Sequence, residues 1–558
     1  MVSVDSIYES NSTQYTSRYM KPTRTRFAPS PTGFMHVGGI RTALFAYLVA
    51  RQSGGQFILR LEDTDKNREV EGSAQHIIDC LNALELDRDE GVQEGGDYGP
   101  YIQSERLDIY KSWARKLIDS GRAYADPYTS AEVQKFREQA QSEKRAFLYR
   151  HHRPEITEPW DGTTPLRFKS DPKSYDWTDA VMGELSTGPE VIDDFILIKS
   201  DGYPTYNFAH IVDDAEMGIT HVIRGQEFIS SQPNYLNLYE ALNIHEDPNT
   251  TLAVGDGRRG STHDSFSELS EKNLGADRPA GPADSETYQP ERSSGEVSAA
   301  PNAAKTTYTR PIFATMPPIM NDQGNKKLGK RDGAKDLLDY IREGYLPETM
   351  LNFIATLGWN DGTEQEIFSK QELIEKFSLN HVQRSGARFD QKRLEWMNGQ
   401  YIRALNLEDL STRAATYWTE AALSADKSYR DKVLALIQDR LRSLEDVKIM
   451  SHYFFAEPEI DWSLINENKQ LKKLSRDDIK SYLTDTHTTL ETTEWNEAAI
   501  QDSLNTLLET TGQKPGILFS LVRIATTWAP FSPQLNLTLE LLGKETTLAR
   551  LKSTIEQA

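Results

Sequence analysis

Between Arg26 and Gly39 the chain reads Arg-Phe-Ala-Pro-Ser-Pro-Thr-Gly-Phe-Met-His-Val-Gly-Gly, and three features of it suit a nucleotide site. Gly38 and Gly39 remove side chains where a helix is about to begin, so a purine or phosphate can approach backbone N–H groups that lack intrahelical partners. His36 can donate a hydrogen bond to phosphate oxygens as charge develops on them. Arg26, at a strand end, offers a planar and permanently charged fork for a carboxylate. Taken alone, a histidine near two glycines is more simply a turn packed on a core.

Far downstream, Lys327-Leu328-Gly329-Lys330-Arg331 places two lysines three residues apart on a flexible loop. Such a loop can embrace a triphosphate and neutralise departing pyrophosphate. By itself it is an ordinary solvated turn. The run Arg60-Leu61-Glu62-Asp63-Thr64-Asp65 carries three carboxylates that read equally as a metal site or a capped loop.

Together the two basic and glycine-rich stretches resemble the nucleotide-binding signatures of class I aminoacyl-tRNA synthetases, and in detail the bacterial-type glutamyl-tRNA synthetase family. Four more motifs match in order: Arg60 to Asp65, Gly99-Pro100-Tyr101-Ile102-Gln103-Ser104-Glu105-Arg106, Lys199 to Ala209, and Arg224-Gly225-Gln226-Glu227. The resemblance covers most of the chain. It implies that Arg26, Ala28 and Ser30 line a glutamate pocket, that Glu62 holds the substrate ammonium, and that Tyr206 and Arg224 complete the site. His210 stands where many relatives carry asparagine, which leaves its part in glutamate binding open.

For ATP the resemblance implies His36, Gly38, Gly39, Glu227 and the mobile loop Lys327, Leu328, Gly329, Lys330 and Arg331, with Gly329 in place of the usual serine. Catalysis would then be positioning and charge stabilisation by His36, Lys327 and Lys330 in a two-step reaction through glutamyl-adenylate. The implied partners are L-glutamate, ATP as its Mg2+ complex, and tRNA; the chain is expected to be a monomer. No structural zinc is expected, because Tyr124-Ala125-Asp126-Pro127-Tyr128 contains no thiol where some relatives carry a zinc knob. Charging of tRNA(Glu) alone and of both tRNA(Glu) and tRNA(Gln) stay equally open. A truncated paralogue acting on a modified tRNA base is disfavoured by the long C-terminal region. A catalytically dead tRNA-binding protein is disfavoured by the presence of His36, Lys330 and the pocket arginines.

Positioning these residues calls for a strand at 23–28, a helix with Ile40, Ala43, Leu44, Tyr47 and Leu48 on one face, a strand at 57–61 and a helix marked by Ile77, Ile78, Leu81 and Leu84. Such alternation belongs to a parallel α/β sheet. Phe195 to Lys199 and His221 to Arg224 read as strands resuming it. The expected fold is thus α/β: an N-terminal Rossmann-like parallel sheet with an inserted acceptor-stem domain, followed by an all-α anticodon-binding region. The expected division is a tail at 1–20, the first half of the catalytic domain at 21–101, the inserted domain at 102–190 and the second catalytic half at 191–245. A largely disordered insertion at 246–310, a stem-contact region at 311–405 and a helical anticodon-binding domain at 406–558 complete it. Within the insertion, residues 256–305 are rich in Gly, Ser, Asp, Glu, Ala and Pro and cannot build a core. In the helical region Arg440 and Arg442 on one helix, with Lys514 and Arg523, are candidate RNA contacts; Tyr453, Phe454 and Phe455 could stack bases but fit a core better.

The bulk numbers bound the reading. A chain of 558 residues exceeds one core and calls for several domains. Mean hydropathy is −0.61, and no apolar run approaches the ~20 residues of a membrane span. Cys80 is the single cysteine, which excludes a disulfide framework and fits a reducing compartment, with the cytoplasm as the expected location. The formal charge of −21 argues against indiscriminate nucleic-acid binding but leaves room for local basic faces.

Overall fold

A computed structural model describes residues 22–246, 308–329 and 335–558. The expected tail, the composition-biased run at 256–305, and Lys330 and Arg331 of the basic loop lie outside the described residues. The chain opens with β1 (Arg24–Phe27), α1 (Val37–Gln52), β2 (Gln56–Leu59) and α2 (Ser73–Ala83). There follow α3 (Leu107–Asp119), β3 (Ala123–Ala125), α4 (Ser130–Ser142), β4 (Leu166–Phe168), β5 (Tyr175–Asp179), β6 (Gly183–Thr187) and β7 (Ile196–Ile198). Next come α5 (Tyr206–Glu216), β8 (His221–Gly225), α6 (Gln232–Ala241) and β9 (His245–Glu246). Past the undescribed insertion lie β10 (Thr309–Arg310), β11 (Ile312–Met316), β12 (Ile319–Met320), α7 (Leu337–Arg342), α8 (Pro347–Ala355), α9 (Lys370–Lys376), β13 (Ala387–Arg388) and α10 (Gln391–Ala404).

The central sheet has the order β11-β8-β1-β2, all parallel. Its residues alternate between two apolar cores: Phe57 and Leu59 enter one and Ile58 the other, and Ile223 and Val222, then Ala314 and Phe313, split in the same way. Burial on both faces with period two is what helices covering a parallel sheet require. Helix α1 is apolar almost all round because it packs on the sheet and also on α8 and α9. Since β1 has β2 on one side and β8 on the other, the direction of winding switches at the carboxyl end of β1. Open α/β sheets leave a crevice at that place.

One strand departs from the sequence expectation. Ile196–Ile198 does not resume the parallel sheet but pairs antiparallel with β4 in a separate sheet, β3-β4-β7. Phe195 meets Phe168 ring to ring at 5.3 Å, and Leu197 and Ile198 share a core with Leu166 and Phe168. A short apolar run satisfies either sheet locally, and only this long-range packing decides. The β5–β6 hairpin is fastened to the central sheet by buried Asp179. Its Oδ1 accepts from the backbone of Val181, Met182 and Thr315 at 2.9–3.0 Å, and its Oδ2 from the Thr315 hydroxyl at 2.6 Å.

From Leu407 to Gln557 the described elements are all helical and pack around a core of their own that includes Leu434, Leu483, Leu521 and Leu539. Tyr453 and Phe454 are buried in that core and Phe455 packs against it. Arg440 and Arg442 do not share a helix face: the helix Lys427–Ile437 ends first, Arg440 lies in a 3-10 turn and Arg442 beyond it. Leu441 explains the early end, since its burial turns the chain inward.

The α/β part and the helical part meet at a turn that only glycine fits. Gly344 has φ +85°, and a Cβ there would come within 2.5 Å of the Leu444 nitrogen. Asn398 of α10, fully buried, seals the same junction by accepting from Leu346 N–H at 2.9 Å and donating to the Gly344 and Arg442 carbonyls at 3.3 and 2.6 Å. Asn398→Ala removes three hydrogen bonds and strands buried backbone groups. It should lower the denaturant midpoint by the equivalent of about 2–4 kcal/mol, and a midpoint unchanged in urea titration would show the junction to be held elsewhere.

Candidate active site

The carboxyl ends of β1, β2 and β8 deliver charged side chains to one place. Arg26, the third residue of β1, is buried and binds Asp214 through Nε at 3.0 Å and Nη2 at 3.3 Å. Arg60, just past β2, is fully buried and reaches Glu62 Oε1 and Asp214 Oδ1, each at 2.9 Å, from one nitrogen. Asp213, also on α5, accepts from Arg106 Nε at 2.7 Å, Gln103 Nε2 at 2.8 Å and the Tyr110 hydroxyl at 2.8 Å. Three arginines thus face three carboxylates in the interior. The Arg26 and Arg60 charges hold the Asp214 carboxyl down to about 2 against the opposing effect of burial. Burial dominates at Glu62 and raises it to about 7 despite Arg60 and Arg26.

Within this paired cluster a few atoms make no hydrogen bond. Glu62 Oε2 is one, and Arg224 Nε and Nη1 are others, on side chains that are nearly inaccessible. Arg224 is held by rings instead, with its guanidinium 5.4, 5.2 and 5.1 Å from the centroids of Phe228, Tyr235 and Phe313. Tyr206 lies within the fields of both Glu62 and Arg224, and stacks on His210 at 4.7 Å and Phe228 at 5.3 Å. Tyr206, His210 and Asp214 recur every four residues of α5 and so share one face. His210 places Nδ1 2.7 Å from the Tyr206 carbonyl, which makes Nδ1 the donor, and burial lowers its pKa to about 3. It is a neutral imidazole at physiological pH. Ala28 and Ser30 sit on the loop after β1, beside Glu62, whose N–H donates to the Pro29 carbonyl at 3.0 Å.

The second group of residues lines the neighbouring end of the cleft. His36 is the N-cap of α1, its Nδ1 accepting from Gly38 N–H at 3.0 Å, so the neutral ring carries its proton on Nε2. A Cβ at Gly38 would stand 2.9 Å from the His36 ring, and one at Gly39 2.6 Å from the end of Met35. Close approach at these glycines is thus already used by the protein's own His36 and Met35. Glu227 follows β8 and lies 3.8 Å from Lys327 Nζ. Leu328 N–H donates to Ile319 O at 2.8 Å, fixing Lys327, Leu328 and Gly329 beside β12. The backbones of His36 and Asp336 pair as an isolated antiparallel bridge. The stretch ending in paired glycines and the one bearing the lysines are therefore brought to one cleft, while Lys330 and Arg331 lie outside the described residues.

The acidic run resolves into different tasks. Asp63 is a loop anchor, accepting from Ser104 N–H at 2.8 Å, the Ser104 hydroxyl at 2.6 Å and Lys66 at 2.5 Å. In the inserted segment Asp126 accepts from Arg167 Nη2 at 2.6 Å and from the Tyr149 hydroxyl, a charged and hydrogen-bonded knot in a thiol-free stretch. Sequence reasoning did not single out Asp213 or Asp214, and quoted Arg106 within a motif without giving it a role. Adjacent carboxylates in the otherwise apolar run Phe208 to Ala215 were the available signal.

Comparison with known proteins identifies the family. The family model described as "tRNA synthetases class I (E and Q), catalytic domain" matches residues 22–255 and 304–396, and "Anticodon binding domain" matches 408–555. The chain is 36% identical over 544 residues to a protein named glutamate–tRNA ligase from Clostridium tetani, covering 96% of this chain and 97% of the relative. It is 35% identical to one from Dehalococcoides mccartyi, covering 95% and 97%. A glutamate tRNA ligase of Elizabethkingia meningosepticum, solved in complex with its amino acid, superposes with TM-score 0.75 at 29% identity, covering 96% of this chain and 99% of that one.

The buried neutral His210 gives the fold a pH signature. Below pH 6.5 the unfolded chain binds a proton that the folded imidazole refuses until about pH 3, so this residue makes stability fall as pH falls through that window. Between pH 6.5 and 5 the wild type should lose about 1–2 kcal/mol more than His210→Asn. Parallel losses in denaturant titrations of the two proteins would contradict a neutral buried ring.

Proposed function

The chain belongs to the class I tRNA synthetases for glutamate and glutamine, and from that we propose that it joins L-glutamate to the 3′ end of tRNA(Glu) at the expense of ATP through glutamyl-adenylate. What carries the choice of amino acid is a pair of opposite, buried and unsatisfied groups: Glu62 Oε2, and Arg224 Nε and Nη1. Leaving a buried polar atom unpaired costs about 1–3 kcal/mol, and more when it is charged. A zwitterion with a carboxylate side chain satisfies all of them at once, its ammonium on Glu62 and its side chain on Arg224. The ammonium favours the ionised form of Glu62, which otherwise titrates near 7. Tyr206 adds a hydroxyl, Ala28 and Ser30 a wall, and neutral His210 shapes the pocket through its stack with Tyr206. Arg26, tied to Asp214, supplies charge from behind.

ATP enters as its Mg2+ complex. The glutamate α-carboxylate attacks the α-phosphorus, and the bond to the β-phosphate oxygen breaks to release pyrophosphate, with no covalent enzyme intermediate. His36 Nε2–H donates to phosphate oxygen, while Lys327 and Lys330 neutralise the departing charge. Gly38, Gly39, Glu227, Leu328, Gly329 and Arg331 complete the nucleotide site; without the usual serine at Gly329 more of the stabilisation falls to the lysines. In the second step a terminal tRNA hydroxyl attacks the adenylate. The inserted segment 102–190 would hold the acceptor stem, 311–405 would contact the stem, and the helices after 406 would read the anticodon. The working unit is a monomer in the cytoplasm, with no zinc knob in the thiol-free Tyr124 to Tyr128 stretch. No helix among the described residues is long and apolar enough to cross a membrane.

ATP–pyrophosphate exchange measured with and without glutamate and tRNA tests the reading. Exchange that needs both is expected, and its absence under all conditions would leave only a binding protein; charging assays with purified tRNA(Glu) and tRNA(Gln) then decide the acceptor range. Arg224→Gln should raise the glutamate KM about tenfold to a hundredfold with the ATP KM within twofold. His36→Ala should lower kcat by about 10²–10³ with little change in the glutamate KM. A shift of the ATP KM alone in the Arg224 variant would move the amino-acid pocket elsewhere.

A further inference from the structure

Helix α2 carries His76 and Cys80 one turn apart, so both side chains leave it on the same face. Opposite them stands Asp336, the N-cap of α7, whose Oδ1 accepts from Leu338 N–H at 2.8 Å. Its Oδ2 lies 2.7 Å from His76 Nε2, and Cys80 Sγ lies 3.7 and 3.8 Å from the two nitrogens of the same ring. One ligand atom from each of the three residues falls within 4.8 Å of the others, the one such group among the described residues. In a tetrahedral zinc site with bonds of about 2.0–2.3 Å, ligand atoms stand about 3.3–3.7 Å apart, so side-chain ends need move only about 1 Å. A cavity of about 450 Å³, lined among others by Phe34, His36, His76 and Asp336, opens onto the histidine and the carboxylate. Thiolate and imidazole with a single carboxylate select a zinc-like ion over magnesium or calcium.

We propose that His76, Cys80 and Asp336 form an exchangeable three-ligand site for a zinc-class divalent ion, with water in the fourth position facing the His36 cavity. This site lies on α2, apart from the thiol-free Tyr124 to Tyr128 stretch, and does not rest on the glutamate reading. On binding, the Cys80 thiol gives its proton to solvent, the proton that His76 Nε2 holds toward Asp336 passes by way of solvent to Nδ1 with loss of the weak Met35 N–H contact there, and Sγ, His76 Nε2 and one Asp336 oxygen bond the metal. Because the Asp336 backbone pairs with that of His36, the ion ties α2 and α7 together at the start of α1. The His76–Asp336 ion pair joins the same two helices without a metal, but it leaves the Cys80 thiol unbonded.

The test is titration of the metal-free full-length protein with Co2+, read by absorption. As Cys80 is the only cysteine in the chain, a thiolate-to-cobalt charge-transfer band can arise from no other residue. The expected result is a band saturating at one equivalent, abolished in Cys80→Ser, with affinity at least ~tenfold weaker in His76→Asn and in Asp336→Asn. No band in the wild type, or undiminished affinity in either of the last two variants, overturns the proposal. If His76→Asn does not fold, His76→Gln is held to the same criterion.

Discussion

The candidate active site depends on the pairing of Asp213 and Asp214 with three arginines from three other segments. Arg26 lies in β1, Arg60 follows β2 and Arg106 precedes α3 as its N-cap. Buried without anions, these guanidiniums would each cost several kcal/mol in lost hydration. Successive residues on a helix point about 100° apart, so one dipeptide on α5 serves two directions: Asp214 faces the sheet and Asp213 faces α3. Taking out one member would leave an uncompensated buried charge, for which about 3–5 kcal/mol is typical. The cluster stitches the switch point of the sheet to the helix that carries Tyr206 and His210, and so fixes the frame of the proposed pocket.

Within this network Arg60 Nε and Gln103 Oε1 also lack a hydrogen bond, but Glu62 Oε2 and two nitrogens of Arg224 differ in being unspent groups of opposite charge on residues that no carboxylate–guanidinium pair has used up. The rings of Phe228, Tyr235 and Phe313 hold Arg224 by its faces and edges and leave its donors unspent. The orientation of Arg224 is thereby set by ring contacts, which pre-organise the side chain without using its Nε and Nη1 donors.

Much of this was legible in the sequence, and the limits have physical causes. The parallel strands at Arg24 and His221, the helix at Val37 and the helical C-terminal part announce themselves through local periodicity and turn residues, and the structure has them. The sheet membership of Ile196–Ile198 does not, because three apolar residues fit any half-buried edge until Phe168 and Leu166 are known to be opposite. Arg26 and Glu62 were read as ligand contacts from their types and motifs. The partner of Arg26, Asp214 on α5, was invisible because it lies 188 residues away in the chain, whereas Glu62 is held by Arg60 two residues before it. The glycine pair shows a subtler limit: sequence marks where a Cβ is intolerable, but the neighbours that make it so are His36 and Met35 themselves.

Bringing the two remote signatures together falls to backbone, not to the charged side chains that make them recognisable. Leu328 hydrogen-bonds to the strand Ile319–Met320, and Asp336 pairs with His36, so both ends of the lysine-bearing segment are pinned by main-chain contacts. The Lys327–Glu227 contact, 3.8 Å long and well exposed on both sides, adds little to that anchoring. Weak tethering suits its position: a lysine held by a strong buried ion pair would have to give that up before neutralising another anion, whereas an exposed one changes partners at small cost. The rigid part of the cleft is therefore built from hydrogen-bonded backbone and the buried arginine cluster, and the cationic part is left able to follow charge as it moves.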